Sequence, residues 1–220
     1  VSVAAPTGPV VASHFDTLPQ QAHAARLGMW IFLASEVLLF TGLFAIYAAY
    51  RSLFPEGFEE GVAHNPRVLG SINTGVLLCS SFTAATALRL LREGRRRGCL
   101  LAIAVTVLFG AAFLVIKGAE YGEHFREGIF PGGVGPFFAG HPGAGLVQFY
   151  TLYFAMTGLH ALHVAVGMSV LVFFGIQVAQ GRVVAPAVFP LENAAIYWHL
   201  VDVFWIFLWP LFYLTPGSVR

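Results

Sequence analysis

The chain is 220 residues long, 57% hydrophobic and only 10% charged, where a water-soluble domain carries about 25% charged residues. That excludes an ordinary soluble enzyme and points to a protein held largely inside a membrane. A net charge of +1, with Lys117 the single lysine, leaves no basic stripe for nucleic acid.

Residues 1–25 form a polar tail with no charged segment leading into an apolar run, so they do not read as a signal peptide. The first apolar run covers 28–50 and carries one charge, Glu36. It is long enough to cross a bilayer core of about 30 Å. Glu36 falls roughly 12 Å along that helix. An ionised carboxylate facing lipid there costs at least about 2.5 kcal/mol. Glu36 is therefore expected to face other helices and to be paired or protonated.

Four more apolar runs follow, at about 68–91, 98–116, 145–177 and 193–214. All are of helix length, unlike the alternating ten-residue strands of an outer-membrane barrel. The fourth is long for one crossing and should tilt or project. The expected fold is all-α: a single transmembrane domain, 26–220, built as a bundle of five transmembrane helices. Arg89, Arg92, Arg95, Arg96 and Arg97 crowd around the second-to-third connection, with Arg26 and Arg182 on the same side. Arg51, Arg67, Lys117, Arg126 and Arg220 fall on the other. The short basic loop places the N-terminus in the cytoplasm and the C-terminus outside. The glycine- and proline-rich stretch 118–144 reads as an irregular outer loop.

Comparison of depths suggests a polar layer in the inner half of the bundle. It gathers Glu36, Asp202, His160, His163, His199, Ser80, Ser81 and Thr83. His199 and Asp202 are three apart, as are His160 and His163, so each pair shares a helix face. Two readings stay open: a proton path or metal site, and plain hydrogen bonding between helices, worth about 0.6 kcal/mol per pair. No short ligand motif such as E-x-x-H favours the metal. Cys79 and Cys99 form no CxxC or Cys/His cluster and read as inert thiols. Trp30, Tyr47, Tyr50, Tyr197, Trp198 and Tyr213 lie near span ends, as an interfacial belt would. No phosphate-binding or nucleophile motif is present.

Five motifs then stand in order: GMWIFLASEVLLF at 28–40, NTGVLLCSSFT at 73–83, Glu120-Tyr121, TGLHALHVAVG at 157–167 and YWHLVDVFWIFL at 197–208. In these the chain resembles subunit III of the haem–copper oxidases, in its five-helix bacterial form. The resemblance touches every span. It implies an accessory subunit with no catalytic residue, metal or cofactor of its own. Haem and copper would sit in partner subunits of a proton-pumping terminal oxidase in a bacterial cytoplasmic membrane. The partners implied are oxidase subunit I, subunit II and further respiratory subunits, with bound phospholipid. The family role the resemblance implies is to support proton uptake and turnover stability, with an oxygen access route also suggested. Glu36 matches the family's carbodiimide-reactive carboxylate, and Asp202 is the second buried acid. Asn73, Thr74, Ser80, Ser81, Glu120, His160, His163, Trp198 and His199 are expected in a structural polar layer or at lipid contacts. The serine before Glu36 and the Asn73-Thr74 pair favour a cytochrome c oxidase. The ending FLWPLFYL at 207–214 resembles the accessory proteins of nitric oxide reduction and keeps that alternative open, beside the accessory protein of a quinol oxidase. A reading of another class is a small ion-coupled transporter using Glu36 and Asp202.

Overall fold

The side chain of Thr17 accepts a hydrogen bond from the N–H of Gln20, and a proline in the first turn leads the chain into α1, Leu18–Leu53. The computed structural model describes residues 11–13, 15–141 and 143–214. Arg220 and Pro142 lie outside the described residues, as do residues 1–10 and 14 of the tail. α2 covers Pro55–His64, α3 Arg67–Arg92, α4 Arg96–Arg126, α5 Phe137–Gly140, α6 Ala144–Ala179 and α7 Phe189–Tyr213, with a 3-10 turn at Pro131–Gly133. Among the described residues there is no strand. Five helices, α1, α3, α4, α6 and α7, are long and apolar enough to cross a membrane. The chain is a multi-pass membrane protein.

The helices outrun the apolar runs that announce them. α1 begins ten residues before the run at 28–50, so the end of the polar tail is helical. α4 continues to Arg126, which corrects the expectation of an irregular loop from 118. The reason is a buried stripe: Lys117, Glu120 and His124, at i, i+3 and i+7, all find partners inside the bundle. The irregular connection is confined to 127–143. The short helix α2 has no counterpart among the expected spans. It packs Phe58 edge-on against Tyr47 of α1 and Phe149 of α6.

α7 is the most enclosed helix, with Trp198 and Trp205 fully buried. α1 is the least: it buries Leu33, Phe40 and Tyr47, a single seam of residues seven apart. Phe40 stacks on Phe204 at 3.9 Å, and the Tyr47 hydroxyl donates to the Leu211 carbonyl at 2.6 Å. At one end of the bundle Glu192 of α7 joins Arg26 of α1 and Arg92 of α3. The start of α1, the α3–α4 turn and the start of α7 therefore share that end.

The aromatic belt needs correcting as well. Tyr47, Tyr197, Trp198 and Tyr213 are buried. Their polar atoms are used inside the bundle: Tyr47, Tyr197 and Trp198 bond neighbouring helices, and Tyr213 bonds Glu120. Trp30 stays exposed.

Candidate functional site

Glu36 and His163 come from the two helices α1 and α6. The carboxylate Oε2 lies 2.8 Å from His163 Nε2. Both side chains are nearly covered, at 14% and 13% exposure. His163 Nδ1 lies 2.7 Å from the Leu159 carbonyl oxygen, which can only accept. Nδ1 therefore carries a hydrogen, and Nε2 is left to share one proton with the carboxyl group. That proton sits either on Glu36, which then donates to the neutral imidazole, or on His163, which then donates to the carboxylate. Both forms have zero net charge, which removes the cost of an isolated anion in the membrane. Phe40 packs edge-on against the imidazole, and the Tyr197 hydroxyl donates to the His163 carbonyl.

A second set of bonds runs between α3 and α7. Trp198 Nε1 donates to Ser80 Oγ and Trp205 Nε1 to Thr74 Oγ1, each at 3.0 Å. Ser80 and Thr74 hand their own hydrogens to carbonyls of α3, so every polar atom in these two contacts is used. Ser81 Oγ lies 2.6 Å from His199 Nδ1. Thr83 and Thr106 are bonded at 2.7 Å between α3 and α4. Trp198 fits because Gly110 and Gly167 flank it. A Cβ at either position would stand 2.9 or 2.8 Å from the indole, closer than side chains pack.

The sequence-level layer thus resolves into separate contacts. Glu36 meets His163, not Asp202. Asp202 is buried beside Ser81, and among the described residues neither of its oxygens meets the geometry of a hydrogen bond. Asn73 and His160 are likewise buried without hydrogen bonds among the described residues. His160 is closed in by Phe113, edge-on at 5.4 Å, and by Trp205 at 5.2 Å.

The third cluster holds one residue expected in a structural polar layer, Glu120, together with Lys117 and His124, which the sequence reading does not place inside the bundle. Lys117, which the charge pattern assigns to the outer loops, instead has its side chain buried between α4, α6 and α7. Its Nζ donates to Tyr153 and Tyr213 hydroxyls at 2.9 and 2.8 Å and lies 3.2 Å from Glu120 Oε1. Both tyrosines donate in turn to Glu120 Oε1. The ammonium has three hydrogens and three oxygens to receive them. The rings of Tyr121, Tyr153, Trp205 and Tyr213 surround it at 4.6 to 5.6 Å, within cation–π range. One turn on, His124 reaches the Glu120 carbonyl and Asn65 Oδ1. Asn65 donates to the Phe212 carbonyl. The signal in the sequence was the polar stripe Lys117, Glu120, His124 at helical spacing, just beyond the apolar run.

The family model for cytochrome c oxidase subunit III matches residues 13–216. The chain is 33% identical to cytochrome c oxidase subunit 3 of Loxodonta africana over 202 residues, covering 87% of this chain and 69% of that protein. Against the Latimeria chalumnae protein the identity is 33% over 205 residues, covering 90% and 71%. Against that of Balaenoptera musculus it is 32% over 206 residues, covering 89% and 71%. The match takes in α1 to α7 and every buried pair described above, and the chain belongs to the cytochrome c oxidase subunit III family.

Proposed function

We propose that the chain is a non-redox accessory subunit of a bacterial, proton-pumping cytochrome c oxidase. It packs on the catalytic subunit I with subunit II alongside, binds phospholipid, and sustains proton uptake and lifetime during turnover. The observation that carries this reading is the Glu36–His163 pair. Two helices hold one proton between them within the membrane, with the other ring nitrogen of the imidazole held by the Leu159 carbonyl. Such a pair can take up or pass on a proton by acid–base chemistry alone.

Haem and copper belong, on this reading, to the partner subunits. The histidines support it. His163 and His124 have both ring nitrogens engaged, and His160 is enclosed by aromatic rings. A groove of about 310 Å³ between α1, α6 and α7, lined by Met29, Phe32, Val170, Phe174 and Tyr197, has the apolar character an acyl chain requires. The N-terminal end is assigned to the cytoplasm. With Lys117 buried in the bundle, fewer basic residues remain on the outer side, which favours the arginine-rich α3–α4 turn as the cytoplasmic end.

The test is extraction in mild detergents followed by a haem spectrum and a turnover assay. The chain should be recovered with a haem-bearing subunit. Glu36→Gln should leave initial oxygen consumption largely intact and shorten functional lifetime or lower pumping efficiency. Recovery as a lone, haem-free species in several mild detergents sinks the reading, and so does complete loss of oxygen consumption in a fully assembled Glu36→Gln enzyme.

A further inference from the structure

Ion pairs divide the arginines around the α3–α4 turn. Arg26 and Arg92 hold Glu192, while Arg89 and Arg95 hold Glu93. Arg96 and Arg97, at the start of α4, are exposed and meet no acidic side chain among the described residues. The Arg96 guanidinium reaches toward the turn that follows α6: its Nη1 lies 4.0 Å from where a Cβ would stand on Gly181. Deeper along the same two helices, α4 and α6 leave an apolar groove of about 430 Å³. Leu100, Ala104 and Val107 line it from α4, and Val172, Gly175 and Ala179 from α6. Arg97 stands three, seven and ten residues before the three α4 positions, so it shares their helix face. Arg96 stands four and eleven before Leu100 and Val107 and borders the same face.

Charge and depth together decide what fits. The arginines lie at the end of the bundle that Glu192 marks, one turn before the groove begins. From Leu100 to Val107 the groove runs roughly 10 Å, about two thirds of the hydrocarbon depth of one leaflet. An occupant must be anionic at the arginines and apolar below them. Guanidinium groups match the oxygens of a phosphate in paired, charge-assisted hydrogen bonds. A zwitterionic headgroup brings an ammonium that the two arginines repel, whereas a net negative one does not. A phosphodiester that carries its own acyl chain meets both requirements in one molecule.

We infer that the α4–α6 groove binds an anionic phospholipid, its phosphate held by Arg96 and Arg97 and one acyl chain laid along Leu100 to Val107. The lipid then ties the start of α4 to the end of α6. This groove is separate from the one between α1, α6 and α7. The inference rests on the phospholipid-binding part of the reading above and adds to it a second place, the charge of the headgroup and the residues that select it.

The experiment uses the complex as purified from membranes in mild detergent and washed of lipid. It is incubated with phosphatidylglycerol bearing a photoreactive diazirine in its acyl chain, and the labelled peptides are identified by mass spectrometry. Label on both 96–107 and 172–179 is expected, displaced by unlabelled phosphatidylglycerol and poorly by phosphatidylethanolamine. Arg96→Gln and Arg97→Gln should each weaken binding there by about fivefold, the factor one arginine contributes near an anionic headgroup. Arg95→Gln removes the same charge from the same end, but from a residue engaged by Glu93, and should change binding by less than about twofold. Ala104→Phe keeps both arginines, fills the groove and should abolish the label. Arg96, Arg97 and Ala104 are all exposed, so these variants should assemble. Equal displacement by the two lipids overturns the inference, and so does an Arg95→Gln loss as large as that of Arg96→Gln, which would mean surface charge alone. Label confined to the groove between α1, α6 and α7 overturns this site and leaves the phospholipid-binding reading standing. Failure of the complex to take up either lipid removes both.

Discussion

Lys117 Nζ lies 3.2 Å from Glu120 Oε1 with the two side chains 3% and 0% exposed, so an ion pair one helical turn long is sealed inside the bundle. Removing one partner leaves the other charge buried and uncompensated, which typically costs about 3–5 kcal/mol. Lys117→Met and Glu120→Leu should each strongly destabilise the chain, while the double substitution should cost less than the sum of the two. Thermal unfolding in detergent, followed by circular dichroism, measures all three. Additive losses would show that the two side chains do not act as a pair.

For Glu36 and His163 the expectation follows from the single shared proton. His163→Leu strands the Glu36 carboxyl group, at a cost of about 1–3 kcal/mol. Glu36→Gln keeps an N–H that can donate to His163 Nε2 and should cost less. Difference infrared spectroscopy of the complex, with Glu36→Gln as reference, locates the proton. A protonated carboxyl band that vanishes in the variant places it on Glu36. A carboxylate band places it on His163. A Glu36 band that is unchanged in His163→Leu contradicts the pair itself.

The seat of Trp198 gives a steric prediction. Gly167→Val forces atoms into the indole ring, and overpacking of this kind costs about 1–3 kcal/mol. Gly118 has open space where a Cβ would go. Gly118→Ala should therefore stabilise α4 by about 0.5–1 kcal/mol, through helix propensity alone. A paired unfolding series separates the two, and equal effects at both positions would refute the close approach.

The Glu192 clamp should behave differently from the buried pair. Its partners Arg26 and Arg92 are each more than half exposed, so solvent screens both contacts. Glu192→Gln should cost no more than about 1 kcal/mol, and less as salt rises. Unfolding at low and high ionic strength checks this. A large loss that is independent of salt would mean the glutamate holds something besides the two arginines.

Much of this molecule is written in the chain itself. The five crossings follow from apolar runs too long and too poor in charge for any other environment, and α1, α3, α4, α6 and α7 stand where those runs are. The family was legible for the same reason: its motifs are contiguous, so they need no partner in space to be recognised. That Glu36 would face other helices and be paired or protonated also followed, since a lone carboxylate at that depth is too costly.

Which group pairs with it did not follow. His163 lies 127 positions away, and its meeting with Glu36 depends on how α1 and α6 are rotated about their axes, which hydropathy leaves undetermined when every face is apolar. The same rotation turns Trp198 and Tyr213 inward, away from the interface their positions suggested. Hydropathy also ended the third span at 116, because it counts Lys117, Glu120 and His124 as polar. In the fold they bond one another and their tyrosine and asparagine neighbours, and the helix runs on to Arg126. Charge along a chain is read residue by residue, whereas neutralisation happens between helices, and only tertiary packing brings those partners together.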